Sequence, residues 1–380
     1  MAAAAGALLA CALGFENGCS AVLGLDGLRY TAVDAGGEGG AILDDGGGIG
    51  ATDGAQSEDA GEPADAHTPF TIATGQDQPK AIAVDGTRVY WVNAGGGGTV
   101  QSALKDGGGP VSTIATNQSL PLDIALDAQN VYWSVSQAVA SAGTASACNA
   151  MFVAKDSDAS TPTCVTMTQY ATNRMTLNDA NVILLTQGSG TDQYLGFATK
   201  SVYDTPYVNR ATQGLATTIA ASDSSIWVSN ANGPHIDEFS IGTTIGTAGP
   251  TLCSSNCGTN PIQDFVLDTT QLNGLWVTQT GFLFTNVLST TNPTGTQLAN
   301  LGSEPQRMTC DASYVYVTVA AQGGSVIAVP IEGADGGQNA ITLASGEQGA
   351  FGIATDGAFV YWTTTTQSGL IRAVGVPSPP

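Results

Sequence analysis

Positive charge is what this chain of 380 residues most conspicuously lacks. Ten Lys and Arg stand against 32 Asp and Glu, a formal charge of −22, and charged residues of both signs make up only 11%. A protein that grips phosphates needs clustered cations. No such cluster occurs, which excludes nucleic acid and anionic membrane surfaces as expected partners. Histidine is almost absent, with His67 and His235 the two present. His235 and Asp237, in Asn232-Gly233-Pro234-His235-Ile236-Asp237, have no third acid–base partner nearby, so His235 reads as an exposed turn residue. No G-x-S-x-G hydrolase motif occurs. The apolar run Ala2–Ala10 is too short to cross a bilayer as a helix. After Thr68 no helical 3.6-residue stripe of useful length is found.

What the chain does have is a recurring phrase: a small-apolar pair, an Asp, a short turn, then an aromatic strand. Ile82-Ala83-Val84-Asp85 leads to Val89-Tyr90-Trp91, and Ile124-Ala125-Leu126-Asp127 to Val131-Tyr132-Trp133. Further copies place Asn178, Ser222, Asp268, Asp311 and Asp356 at the Asp position, the copy at Asp268 with three extra residues in its turn. Successive spacings are 42, 51, 44, 46, 43 and 45 residues, giving seven units. A fixed period of this length marks a propeller or solenoid. Four short strands fit each unit, separated by turns such as Asp85-Gly86 and Asp106-Gly107-Gly108-Gly109. The expected fold is therefore all-β, a seven-bladed β-propeller of four-stranded blades. The repeat begins on an outer strand, Thr71–Thr74, and ends on a third strand, Leu370–Val374. Pairing those two would complete the last blade and hide two open edges.

These residues carry a resemblance. Tyr361-Trp362-Thr363-Thr364 is one residue from the YWTD signature of low-density-lipoprotein-receptor-type propellers, and Gly369-Leu370-Ile371-Arg372 is similar to the strand that follows it there. The turn chemistry resembles that of NHL-type propellers. The chain most resembles VYW-repeat propeller proteins predicted in myxobacterial genomes, over about residues 68–380. The likeness implies the fold. It departs from the YWTD group in blade count and in the motif's missing Asp, so no receptor function follows from it. Virginiamycin-lyase-like propellers are similar in fold, but no matching motif is present.

Three regions are expected: a signal or lipoprotein leader at 1–19, a disordered acidic Gly-rich linker at 20–67, and the propeller at 68–380. Leu8-Leu9-Ala10-Cys11 fits a bacterial lipobox, with Cys11 as the lipidated residue and Cys19 as the alternative. Residues 33–67 hold nine carboxylates and no Lys or Arg, with runs such as Asp44-Asp45-Gly46-Gly47-Gly48. Such a segment cannot bury enough apolar surface to offset its ordering entropy.

Five of the seven cysteines lie in the propeller. The spacing of Cys253 and Cys257 suits a local disulfide, and Cys148 and Cys164 flank the insertion that makes the second unit longest, where a bridge would staple it. A metal site would want a second Cys/His pair, which is missing; neither metal nor cofactor is expected. Cys310 replaces the Val or Leu that ends the inner strand elsewhere and reads as a buried small hydrophobe. The repeated Asp is expected to open a tight turn by accepting from backbone N–H groups, an ability that Asn178 and Ser222 keep.

Aligning the units exposes one constellation. Four residues before each repeat Asp stand Ala81, Asp123, Arg174, Thr218, Asp264, Arg307 and Gly352, where the inner strand starts beside the channel mouth. Lys80, Gln263, Gln306 and Gln348 lie near them in the same alignment. Asp123/Arg174 and Asp264/Arg307 are expected as pairs between neighbouring blades, either locking the ring or lining a polar binding mouth. The reading as a whole is a non-catalytic, monomeric cell-envelope binding or scaffold protein with a protein or glycan ligand. It would reach the membrane only through an N-terminal lipid, as an outer-membrane lipoprotein or in the periplasm, or else be secreted. The alternative is a propeller hydrolase or lyase acting at the channel mouth.

Deleting residues 33–67 should leave the melting temperature of the full chain almost unchanged; a drop of more than a few degrees in a calorimetric scan would show that the segment packs on the body.

Overall fold

The computed structural model describes residues 68–140, 147–155, 161–167, 171–187, 192–200, 207–213, 216–230, 235–241, 245–251, 261–288, 295–302, 304–332 and 339–379. The expected leader, the linker, Cys11, Cys19, Cys253 and Cys257 fall outside these residues. Seven antiparallel four-stranded sheets form a propeller ring. Their innermost strands are Pro79–Val84, Pro121–Leu126, Ala171–Leu177, Ile219–Ala221, Ile262–Leu267, Pro305–Cys310 and Ala350–Thr355, in blades 1 to 7. Each touches the innermost strands on either side, and the first touches the last. Among the described residues the one helical feature is the 3₁₀ turn Ala321–Gly323.

The N-terminal strand Phe70–Gln76 closes the ring. It pairs with Gly369–Gly375, opposing Thr71 to Arg372 and Ala73 to Ile371, and becomes the outermost strand of blade 7. Repeat unit and blade are thus offset by one strand, as the sequence implied.

The core is divided into wedges. Each blade is covered on both faces by its neighbours, which is why second strands such as Val89-Tyr90-Trp91-Val92 and Tyr314–Val319 are buried along almost their whole length. Successive side chains point to opposite faces. Trp91 therefore packs with Tyr361 and Ile371 of blade 7, while Tyr90 packs with Ile124 and Trp133 of blade 2. Seven such clusters occur, one at each inter-blade interface. In blade 5, Phe265 pairs with Trp276 and Leu267 with Gly274, as Ile82 pairs with Trp91 and Val84 with Val89 in blade 1. The turn after Asp268 therefore carries two extra residues rather than three, and Trp276 takes the place of Trp91 rather than Tyr90.

The repeat Asp is a turn-former throughout. Asp311 Oδ1 accepts from Ser313 N at 2.7 Å and Tyr314 N at 2.8 Å. Asp85, Asp127 and Asp356 do the same for the two equivalent N–H groups. Asn178 and Ser222 accept the same pair of bonds. The second carboxylate oxygen has its own task, because a tyrosine on the next strand donates to it: Tyr90 to Asp85, Tyr132 to Asp127, Tyr316 to Asp311 and Tyr361 to Asp356. Burial first, and then the bonded Asp, push the Tyr132, Tyr316 and Tyr361 hydroxyls well above the usual range.

In three blades the same Asp also binds the neighbouring blade. Lys105 Nζ lies 2.6 Å from Asp356, Lys155 Nζ 3.0 Å from Asp85, and Lys200 Nζ 3.7 Å from Asp127. Each Lys directly follows the third strand of its own blade and reaches back to the preceding one. Three of the chain's ten cations are used this way. The carboxyl of Asp85 is pushed up by burial, but N–H bonds from Thr87 and Arg88 together with Lys155 outweigh that and leave it below its usual value.

Cys148 and Cys164 are joined, Cα atoms 5.8 Å apart, linking the third and fourth strands of blade 2. Disulfides of this kind belong to oxidising, non-cytoplasmic compartments. Cys310 is fully buried, as expected of a small hydrophobe, but it is not a free thiol: it too is disulfide-bonded. His235 is half-buried and opens the third strand of blade 4, His235–Ile241, where an exposed turn was expected. A strand start places it opposite Asn230.

A tyrosine whose folded pKa is raised contributes stability that is complete below its unfolded value, here 10.0, and is lost as pH climbs through the folded value. Alkaline titration should thus show the Tyr132, Tyr316 and Tyr361 phenolates appearing well above pH 10, together with loss of the β-sheet dichroism. Phenolate absorbance for all ten tyrosines developing near pH 10 in a still-folded protein would contradict the Asp–Tyr contacts.

A polar channel mouth as the candidate functional site

The innermost strands are irregular where they enter the channel. In blades 1, 2, 3, 5, 6 and 7 the pairing with the second strand slips beside Ala81, Asp123, Arg174, Asp264, Arg307 and Gly352 respectively. A bulge of this kind re-aims a side chain and leaves backbone groups to be satisfied elsewhere. Hydroxyls on the second strand do that: Ser134 Oγ accepts from Asp123 N, Thr318 Oγ1 from Arg307 N, and Thr363 Oγ1 from Gly352 N. Two of these hydroxyls also donate across a blade boundary, Thr318 to Phe351 O and Thr363 to Lys80 O. The bulged residues line a channel cavity of about 170 Å³.

All four expected charged residues, Asp123, Arg174, Asp264 and Arg307, line that cavity, but not as two separate pairs. Arg174 in blade 3 forms an ion pair with Asp123 of blade 2, Nε lying 3.2 Å away without hydrogen-bond geometry, and donates to Asp264 of blade 5 through Nη2 at 3.1 Å. It therefore reaches past blade 4. Asp264 Oδ1 also accepts from Thr218 Oγ1 of blade 4 at 2.7 Å, and Oδ2 from Met308 N of blade 6 at 2.9 Å. Asp123 Oδ2 accepts from Met175 N in the same manner, tying blade 2 to blade 3. Thr218 is thus a working member of the ring although its side chain is uncharged.

Arg307 stands apart. Its Nη1 is 3.9 Å from Asp264, beyond hydrogen-bond length, and the carboxylate is already engaged by three closer donors. Its guanidinium lies instead 5.1 Å from the centroid of Phe351, a cation–π distance. Lys80 Nζ lies 4.9 Å from the same centroid. Burial, then the nearby Arg174, lower the Arg307 pKa to about 10. Lys80 is lowered by its own burial and then by Arg307. Arg174 goes the other way: burial opposes its charge, but Asp264 and Asp123 outweigh that and raise its pKa.

The mouth is also lopsided in size. Gly352 and Ala81 stand where other blades carry charged side chains, and a Cβ on Gly352 would lie 2.2 Å from Lys80 O. The close approach of blades 7 and 1 therefore demands glycine there. Sequence alignment located this constellation but missed the Arg174–Asp264 contact and the role of Phe351. It also missed the inter-blade lysines, which the residue just after each third strand could have revealed.

No known protein-family model matches the chain, and no curated protein matches it by sequence. By structure the chain is similar to the computationally designed Ika8 protein, with a TM-score of 0.53, 12% identity, and coverage of 80% of this chain and 98% of that one. In all, 840 chains of known structure match, so the likeness speaks for the propeller fold and for no particular function.

Replacing Asp264 by Ala should cost about 3–5 kcal/mol, because it strands a buried guanidinium, a hydroxyl and an N–H. In double-mutant cycles read by denaturant unfolding, Asp264/Arg174 should couple more strongly than Asp264/Arg307. Equal couplings would contradict the geometry.

Proposed function

We propose that the chain is a non-catalytic binding or scaffold protein of the cell envelope that engages a protein or glycan ligand at the channel mouth. The observation that carries this reading is the state of the mouth's carboxylates. Asp123 and Asp264 are each held by Arg174 and by a backbone N–H of the next blade. A general acid or base needs an oxygen free to exchange a proton with the substrate. Both oxygens of Asp264 and Oδ2 of Asp123 are engaged within the ring, and Asp123 Oδ1 accepts from Ile124 N. What remains for a ligand is a small cavity with a polar wall on blades 2 to 6 and a low wall at Gly352 and Ala81. The envelope assignment draws on the Cys148–Cys164 bridge and, in the leader, on the lipobox ending at Cys11, with Cys19 as the rival lipid site. Tethered there through a lipid and the acidic segment, the propeller would present its mouth off the membrane surface as a monomer.

The test is a plug. Ala81→Phe fills the mouth without changing its charges. Immobilised full-length protein should retain a component of outer-membrane or periplasmic extracts that the folded Ala81→Phe variant releases. Equal retention by both would show that binding does not use the mouth.

A further inference from the structure

Charge at the mouth does not balance. Arg174 and Arg307 line the cavity and Lys80 stands beside it, against only two carboxylates there, Asp123 and Asp264, in a protein that carries a threefold excess of acids overall. Arg174 consumes both carboxylates. Lys80 forms no ion pair among the described residues, and Arg307 forms only the loose one at 3.9 Å. Both lie against the ring of Phe351, on three consecutive blades, 6, 7 and 1. That seam is also where Gly352 and Ala81 keep the wall low.

The surplus is held in place by the fold. The carbonyls of Lys80 and Phe351 accept from Thr363 and Thr318 of the preceding blades, which fixes the backbone on both sides of the seam. Keeping two cations together in a partly desolvated site is unfavourable, and the lowered pKa of Lys80 beside Arg307 expresses that cost. An anion taken up beside them would relieve it. Prearranged donors also lose little freedom when a ligand arrives.

We infer that the seam of blades 6, 7 and 1 is a subsite for a ligand bearing one carboxylate, held by Arg307 and Lys80 with its apolar part beside Phe351. A guanidinium matches a planar carboxylate bidentately. Counting Lys80 with the four charges that line the cavity leaves one positive charge, which a single carboxylate neutralises. A phosphate dianion would overshoot and leave an unbalanced negative charge in a site of low polarity. This inference rests on the mouth being the binding site and specifies the class of ligand it takes.

The probe is benzoate, with benzamide as its uncharged counterpart and inorganic phosphate as the competing anion. Binding to the full-length protein is read by saturation-transfer NMR for the two aromatic probes and by competition against benzoate for phosphate. The expected result is benzoate binding weakened at least ~10-fold by Arg307→Gln and by Lys80→Gln, since a lost charge-assisted bond is worth about that much. Benzamide should not bind, and phosphate should compete poorly. Should Arg307→Gln unfold the protein, Lys80→Gln carries the test alone, because Lys80 takes part in no ion pair among the described residues. Benzoate bound equally by wild type and variants, benzamide bound as well as benzoate, phosphate bound more tightly, or no binding at all would each overturn the inference. If benzoate fails while the Ala81→Phe plug still releases an envelope ligand, the ligand class is wrong and the mouth stands. If both fail, the mouth itself is not the site.

Discussion

One carboxylate ties four blades of this ring together. Asp264, in blade 5, is 1% exposed and takes Arg174 from blade 3, Thr218 from blade 4 and Met308 N from blade 6. Arg174 then carries the connection on to Asp123 in blade 2. A buried carboxylate with this many donors is costly to assemble and costlier to break, so its neighbours are held where the fold needs them. The remaining boundaries are tied differently. Lys105, Lys155 and Lys200 clamp blades 7, 1, 2 and 3 at the far end of the inner strands. Thr318 and Thr363 stitch blade 6 to 7 and blade 7 to 1 at the mouth. Asn178 Nδ2, donating to Ser222 O, joins blades 3 and 4.

These polar ties act on an apolar architecture that has little choice. A four-stranded blade with two buried faces cannot stand alone, and seven of them satisfy one another only by closing. The hydrophobic wedges supply the driving force, while the ties set which residues face which. This division accounts for the thrift of the composition. Of ten basic side chains, three clamp neighbouring turns and Arg174 fixes the mouth. Arg372 pairs with Glu347 and Arg88 bonds Ser102; among the described residues that leaves Lys80 and Arg307, both at one seam, and there ligand chemistry enters.

Much of the fold was legible in the sequence because its signals are local and repeated. The Asp that opens each turn acts on N–H groups two and three residues on, so spacing alone reveals it, and Asn178 and Ser222 could be recognised as substitutes. The closing strand followed from counting strands. The site was legible only as a row of positions. Which side chain of that row meets which depends on reach across a ring, and no spacing encodes that Arg174 passes blade 4 to find Asp264. The turn after Asp268 was misaligned by one residue because Leu275-Trp276-Val277 imitates the repeat out of register, and cross-strand pairing with Phe265 was needed to place Trp276. The bridged state of Cys310 was hidden for a related reason: a buried cysteine and a bonded one have the same neighbours in sequence.

The claim that Asp264 is the hub of blades 3 to 6 is tested most directly by native-state hydrogen exchange on Asp264→Ala. The variant should selectively lose amide protection in the innermost strands Ala171–Leu177, Ile219–Ala221, Ile262–Leu267 and Pro305–Cys310. Protection should persist in Pro79–Val84 and Ala350–Thr355, which the threonine and lysine ties hold independently. Protection unchanged throughout, or lost evenly around all seven blades, would contradict it.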